Sequence, residues 1–274
     1  MVSQLPVFLI EAETCGEAWE KAVEAVWYNG LEVEQHYADE WSKEATVLIN
    51  VKNPLAEPRF SRKDFVSVSM FMTGADKKKP YRDKQYVRDL IDGDMDPRVS
   101  DGIESYTYHE RLCSWGLIQP KHLELLQQKN LPQMKLFDGN TQEEFDVKQG
   151  INQIEMLIQK AKEEPISRKL QMVTWEPHKD LIISGAPCLQ RIWIRILDQK
   201  YMVFETSWRS RDLYKAWGSN VLGFTEFAKC LADRLDLKLV QYVDFSTSLH
   251  IYKSDYDQVE RHFEIIEKRS QEKK

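Results

Sequence analysis

The sequence has little of what several function classes require. Only four cysteines stand among 274 residues, Cys15, Cys113, Cys188 and Cys230, and none forms a Cys-x-x-Cys pair. That scatter excludes a disulfide framework and argues against a structural zinc site, so no metal is expected. No run approaches the roughly 18 apolar residues of a membrane-crossing helix. The opening MVSQLPVFLIEAE lacks the basic flank and apolar run of a signal peptide. Positive charge is not in excess: 38 Lys and Arg against 44 Asp and Glu leave a net charge of −6. Duplex nucleic acid is therefore a poor partner. Repeats and low-complexity segments are missing too. These absences leave a soluble chain of a reducing compartment, read as cytoplasmic, with neither membrane nor nucleic acid as partner.

What is present is ordinary for a globular protein: 42% apolar and 30% charged residues, with eight Trp and eleven Tyr. Residues 5–11 read as a buried strand. Thr14-Cys-Gly-Glu17 is a capping box, opening a helix that Gly30 ends. Residues 45–52 read as a strand stopped by Asn53-Pro54. Residues 64–73 are an apolar run of either type, 75–105 a long functional loop, and 120–130 a helix with Pro120 in its first turn. From Gln142 to Glu164 the spacing predicts a helix closed by Pro165. Strands follow over 167–175, 189–197, 200–208 and 238–253, with Asp198-Gln199 short enough for a hairpin. Helices are expected over 220–235 and 256–270. Strands running into helices without a clean break imply one α/β domain over 1–262, followed by a charged, frayed tail over 263–274.

Single residues carry weak signals. Cys188, after Pro187, reads on its own as a small buried hydrophobe. A reactive thiol needs nearby cations, and Arg168-Lys169 and Arg209-Ser210-Arg211-Asp212 flank it in sequence. Alternation puts Arg209 and Arg211 on one face of an extended segment, where two guanidiniums can converge on one anion, although a solvated strand end explains them as well. Asn220 reads alone as a helix N-cap. His250 and Tyr252, two apart on a strand, share a face.

Together, the order is more specific. Ser167-Arg168-Lys169, a Trp and Asp180, Pro187-Cys188, Arg209-Ser210-x-Asp212, Asn220 eight residues later, then His250-x-Tyr252: this run resembles the thymidylate synthase family. Upstream, Gly74 with its apolar run looks like the family's Leu-x-Gly segment, and Tyr108-His109-Glu110-Arg111 like its Tyr-Gly-x-Arg segment. Pro187-Cys188-Leu189-Gln190 and Asn53-Pro54 look closer to the methanogen-type synthases and nucleotide hydroxymethylases.

The resemblance implies a mixed α/β (α+β) sheet with flanking helices, packing as a homodimer. It implies transfer of a one-carbon unit from 5,10-methylene-tetrahydrofolate, or a tetrahydromethanopterin analogue, to C5 of a uracil nucleotide: dUMP to dTMP. Cys188 matches the nucleophile that adds to C6 and makes C5 carbanion-like. Arg209 matches the arginine meeting the 5′-phosphate and the cysteine. Arg168 matches one donated across the dimer, with Lys169 where a second arginine is common. Ser210 matches a phosphate- or base-contacting serine, and Asp212 the aspartate that orders water and pterin. Asn220 matches the asparagine that reads the pyrimidine; members taking cytosine carry Asp there. His250 and Tyr252 match the pair that holds the 3′-hydroxyl, and Tyr108 a tyrosine near C5.

The chain also departs from the family pattern. Counting seven back from Gly74 for the acid/base glutamate lands on Ser67, and no Glu lies between Phe60 and Gly74. Glu110 and Asp64 are other acids in reach of that role. Gln35-His36 occupy the place of an N-terminal phosphate arginine, with Arg59, Arg62 and Lys63 as nearby cations. The charged C-terminus replaces an apolar one, which makes hydroxymethylation the second reading. A non-catalytic nucleotide-binding homologue is a third. A hydrolase pairing Cys188 with His178 or His250 lacks an oxyanion-type glycine motif.

Overall fold

The computed structural model describes residues 4–36, 40–61, 84–116, 150–183 and 185–271, with side chains to residue 264. The runs 64–73 and 120–130 and residues Arg62, Lys63, Asp64, Ser67 and Gly74 lie outside them.

Strand β1 (Val7–Ala12) leads into helix α1 (Cys15–Asn29). Thr14 Oγ1 accepts the Glu17 amide at 3.3 Å. The returning bond of the capping box goes one residue upstream, with the Glu13 amide donating to Glu17 at 2.8 Å. Ala18, Trp19, Ala22, Val23, Val26 and Trp27 bury the helical face that the spacing marks. Gly30 closes it by donating to Val26 O at 2.8 Å. A short strand β2 (Leu31–Glu34), which the sequence pattern does not show, precedes β3 (Trp41–Val51).

The expected loop 75–105 is partly helical. Its described portion holds α2 (Gln85–Ile91) and α3 (Asp96–Ser100), followed by α4 (Tyr108–Cys113). These helices are too short for periodicity to reveal. Of the helix read over 142–164, residues 142–149 lie outside the described residues; the described part holds α5 (Gln153–Glu163), and Ile151 before it bridges Trp115 in antiparallel fashion. Then come β4 (Gln171–Val173), α6 (Pro177–Asp180), β5 (Leu189–Leu197) and β6 (Tyr201–Trp208). Asp198 and Gln199 both take positive φ, 50° and 53°, the two-residue turn whose twist matches a hairpin. After β7 (Arg211–Asp212) run α7 (Trp217–Arg234), β8 (Lys238–Tyr252) and α8 (Tyr256–Gln271). Helix α8 continues unbroken across 262–263, and Phe263 stacks 6.5 Å from Trp27.

The described strands form one mixed sheet in the order β1-β3-β8-β6-β5-β4, with β2 on β3 and β7 on β8. Pairs β1/β3, β6/β8 and β7/β8 are parallel and the others antiparallel. One face is dry: Val47 and Ile49 of β3, Phe204 of β6 and Tyr242 of β8 are 0% exposed. The other keeps surface, with Leu9 67% and Leu48 38% exposed. No helix among the described residues is long and apolar enough to cross a membrane.

Candidate active site

Sheet topology gathers residues that are far apart in sequence. Leu189 at the start of β5 pairs with Trp208 at the end of β6, which places Cys188 beside Arg209. The chain leaves the sheet at Arg209-Ser210 and rejoins it as β7, where Asp212 pairs with His250. Cys188, Arg209, Ser210, Asp212, His250 and Tyr252 thus share one end of the sheet. Helix α7 adds Asn220 in its first turn and α4 adds Tyr108 at its first residue. Ligand sites of α/β sheets sit at such ends.

Cys188 is half-buried. Burial raises its thiol above the usual range, while Arg209 and then Arg211 pull it down without prevailing. The arginines alone therefore do not make it a thiolate. Arg209 is bound to the cysteine's own loop. Its amide donates to Cys188 O at 2.9 Å, Nε to Pro187 O at 2.9 Å and Nη2 to Ala186 O at 2.7 Å. Its guanidinium lies 5.9 Å from the Trp175 ring.

Arg211 does not converge with it. The step out of the sheet at Arg209-Ser210 leaves Arg209 outside and turns Arg211 inward, where it is 2% exposed and paired with buried Asp244. Tyr242 also donates to Asp244, at 2.6 Å, and Trp208 stacks 3.8 Å from the guanidinium. Arg211 instead orients Asn220: its Nε donates to Asn220 Oδ1 at 3.4 Å, and Asn220 Nδ2 donates to Tyr86 at 2.8 Å. Asn220 is not the N-cap, a place held by Ala216.

Asp212 Oδ1 accepts the amides of Tyr214 at 3.0 Å and Lys215 at 2.9 Å. Burial nevertheless pushes its carboxyl up to about 6. His250 is 2% exposed and burial pushes it down to about 4, so it is neutral at pH 7. Its Nδ1 lies 3.3 Å from Ser248 O, and its buried Nε2 has no hydrogen-bond partner among the described residues. Tyr252 packs edge-on against it at 4.7 Å, so the two do share a face. Tyr108 accepts the Leu189 amide at 3.5 Å and packs on Trp208 and Phe224.

Tyr108 also lines a cavity of about 370 Å³, together with Tyr86, Leu90, Met95, Tyr106 and Gly185 among others. Flat rings and partly polar walls fit a planar heterocycle. Sequence reading missed Tyr86, inside the supposed loop, and quoted Arg111 in a motif without giving it a role. Arg111 joins Tyr108's helix to the segment before Cys188, donating to Thr174 O at 3.1 Å and to Asp180 at 2.7 and 3.0 Å. Glu110 borders that cluster, its carboxyl raised to about 7 by burial.

Three residues lie away from this chain's own site, Arg168 among them, as a role across a dimer requires. Arg168 and Lys169 are exposed, and Arg168 O accepts from Trp193, five residues along β5 from Cys188 and so about 16 Å away. Arg59 is buried, paired with Glu226 and donating to Thr225 at 2.6 Å. It is not a free phosphate ligand.

A cysteine and an arginine meeting at the strand ends of a mixed sheet, with a ring-lined cavity reaching Tyr108, suit a protein that binds a planar small molecule. The family is more specific than that. The thymidylate synthase family model matches residues 105–272, and the chain belongs to that family. Relatives named "Putative thymidylate synthase" agree. The one from Methanosarcina mazei is 23% identical over 92% of this chain and 93% of its own. That from Methanothermobacter thermautotrophicus is 23% identical over 92% and 97%. That from Methanosarcina barkeri is 30% identical over 46% and 62%.

Proposed function

We propose that the protein transfers a one-carbon unit from a reduced pterin, 5,10-methylene-tetrahydrofolate or its tetrahydromethanopterin analogue, to C5 of dUMP. The observation that carries this is the docking of Arg209 on the Cys188 loop, with a ring-lined cavity reaching Tyr108. Cys188 adds to C6 of the base as a thiolate, and the C5–C6 π pair moves to C5, which would then be nucleophilic toward a one-carbon unit. The pterin supplies that unit when bound; the walls of Tyr86, Tyr106 and Tyr108, with Asp212, suit its ring. Arg209 holds the 5′-phosphate together with Ser210. Asn220 reads uracil, accepting from N3–H and donating to O4. The unpartnered Nε2 of neutral His250 accepts the 3′-hydroxyl, with Tyr252 beside it.

The half-exposed sheet face supports a homodimer, which brings Arg168 and Lys169 of one protomer toward the site of the other. Sedimentation as a monomer at working concentration removes that role.

The test is tritium release from C5-labelled dUMP with methylene-tetrahydrofolate, beside Cys188→Ala. Release that requires Cys188 supports C6 addition, and mass analysis separates a methyl from a hydroxymethyl product. Absence of release from protein that binds dUMP rules the reaction out.

A further inference from the structure

Asn220 is held at both ends of its amide, and the two holders differ in kind. Arg211 Nε donates to Oδ1 at 3.4 Å, and Nδ2 donates to the Tyr86 hydroxyl at 2.8 Å. A guanidinium N–H only donates and keeps its proton at every working pH, whereas a phenol donates or accepts. Arg211 therefore decides which end of the amide it meets, because a turned amide would set N–H against N–H. Tyr86 complies with either orientation.

The decision is built into the core. Arg211 is 2% exposed and is paired with Asp244, which is 0% exposed. Tyr242 and Ser246 donate to that carboxylate at 2.6 and 3.2 Å. The rings of Trp208 and Trp217 lie 3.8 and 5.6 Å from the guanidinium. Charge pairing alone does not call for an arginine here. Its buried Nη2 has no hydrogen-bond partner among the described residues, which costs stability. What arginine adds over lysine is an N–H at the ε position, the one that meets Asn220.

We propose that Arg211 is a positioning residue for base specificity, locking Asn220 in the orientation that takes uracil and turns away cytosine. The inference rests on Asn220 as the reader of the pyrimidine. Uracil presents N3–H and O4, which meet the free lone pair of Oδ1 and the second N–H of Nδ2. Cytosine presents a bare N3 and an amine on C4, the reverse pattern. To take cytosine the amide must turn, and its N–H groups then face Arg211 Nε–H where no water relieves them. The penalty falls on cytosine alone, so Arg211 sets the ratio of the two affinities rather than the affinity for uracil.

Calorimetry of dUMP and dCMP binding to the full chain tests this. Arg211→Lys keeps a cation for Asp244 and puts a methylene where Nε stands. The dUMP-to-dCMP affinity ratio is expected to fall by about tenfold or more, chiefly through a gain in dCMP affinity. Arg211→Gln combined with Asp244→Asn removes both buried charges together and places a group that donates or accepts beside Asn220. It should lower the ratio likewise. Tyr86→Phe, which spares Arg211, should change the ratio by less than about threefold. A role in packing alone lowers both affinities in parallel and leaves the ratio. An unchanged ratio in a folded Arg211 variant, or a fall in Tyr86→Phe as large as that expected of Arg211→Lys, overturns the proposal while dUMP binding stands. Wild-type protein that binds neither nucleotide overturns the reading of the site itself, and this inference with it.

Discussion

Arg209 holds the backbone on both sides of the Cys188 sulphur's own α-carbon: its amide binds Cys188 O and its guanidinium binds Pro187 O and Ala186 O, all within 2.9 Å. The proposed phosphate ligand and the proposed nucleophile are thus one mechanical unit, with Nη1 left over among the described residues. Arg209→Lys keeps the charge and cannot span both carbonyls. Losing two charge-assisted hydrogen bonds of about 1.5 kcal/mol each predicts a fall of about 100-fold in kcat/KM for tritium release.

The thiol itself is the next test. Burial outweighs the two arginines at Cys188, so its alkylation rate in the free protein should inflect above the pH of a free cysteine. Arg209→Ala removes the larger of the two opposing charges and moves the inflection higher. Inflection at or below that of a free thiol contradicts the electrostatic reading. Peptide mapping separates this profile from that of Cys113.

Asn220 offers a specificity test. Its Oδ1 faces Arg211 and its Nδ2 faces Tyr86, so the amide has one fixed orientation for the base. Asn220→Asp lets the tyrosine donate where it now accepts, and the carboxylate accepts from the exocyclic amine of cytosine. Calorimetry should show the dUMP-to-dCMP affinity ratio falling by about tenfold or more. An unchanged ratio places the base reader elsewhere.

How much of this was legible follows a physical division. The β5–β6 hairpin, the Thr14 cap and β8 were readable because local chemistry determines them: a two-residue turn, a reciprocal cap, long apolar alternation. Helix α2 was not, because its reason for being helical is distant. Tyr86 packs where Gly223 of α7 lacks a Cβ, which would otherwise sit 2.5 Å from its ring. Arg211 shows the same limit: alternation placed it with Arg209, but buried Asp244, 33 residues on, claims it. Cys188, Arg209, Asp212, His250 and Tyr252 were legible as a spaced set. The contact of His109 with Asp96 was not, since nothing in sequence joins Asp96 to α4.

Asp212 sets function against stability. Its carboxyl, raised to about 6 by burial, is charged at pH 8 in a place that disfavours charge. A carboxyl raised in the fold destabilises it as pH rises above the unfolded value of about 3.9. Asp212→Asn keeps an oxygen for the Tyr214 and Lys215 amides and removes that cost. The variant should gain about 1 kcal/mol at pH 8, discounted for half-exposure, and little at pH 4, while tritium release is lost. Thermal melts at the two pH values check the first part; equal stability at pH 8 refutes it.

His250 gives the opposite pH dependence, and its sign is unambiguous. The folded imidazole is pushed down to about 4, against about 6.5 when unfolded. Between those values the unfolded chain binds a proton that the folded one refuses. The contribution to stability is present above about pH 6.5 and is lost as pH falls toward 4. From pH 7 to pH 5 this group alone removes about 2 kcal/mol. His250→Asn does not titrate and should lose that much less over the same interval, in urea unfolding of both proteins at both pH values. Because Nε2 has no partner among the described residues, the substitution costs no hydrogen bond to any of them there, yet it deletes the proposed acceptor of the 3′-hydroxyl. dUMP affinity should therefore fall at pH 7 while the acid sensitivity of the fold is relieved. Parallel losses of affinity and acid resistance would show instead that His250 serves only the packing of β8.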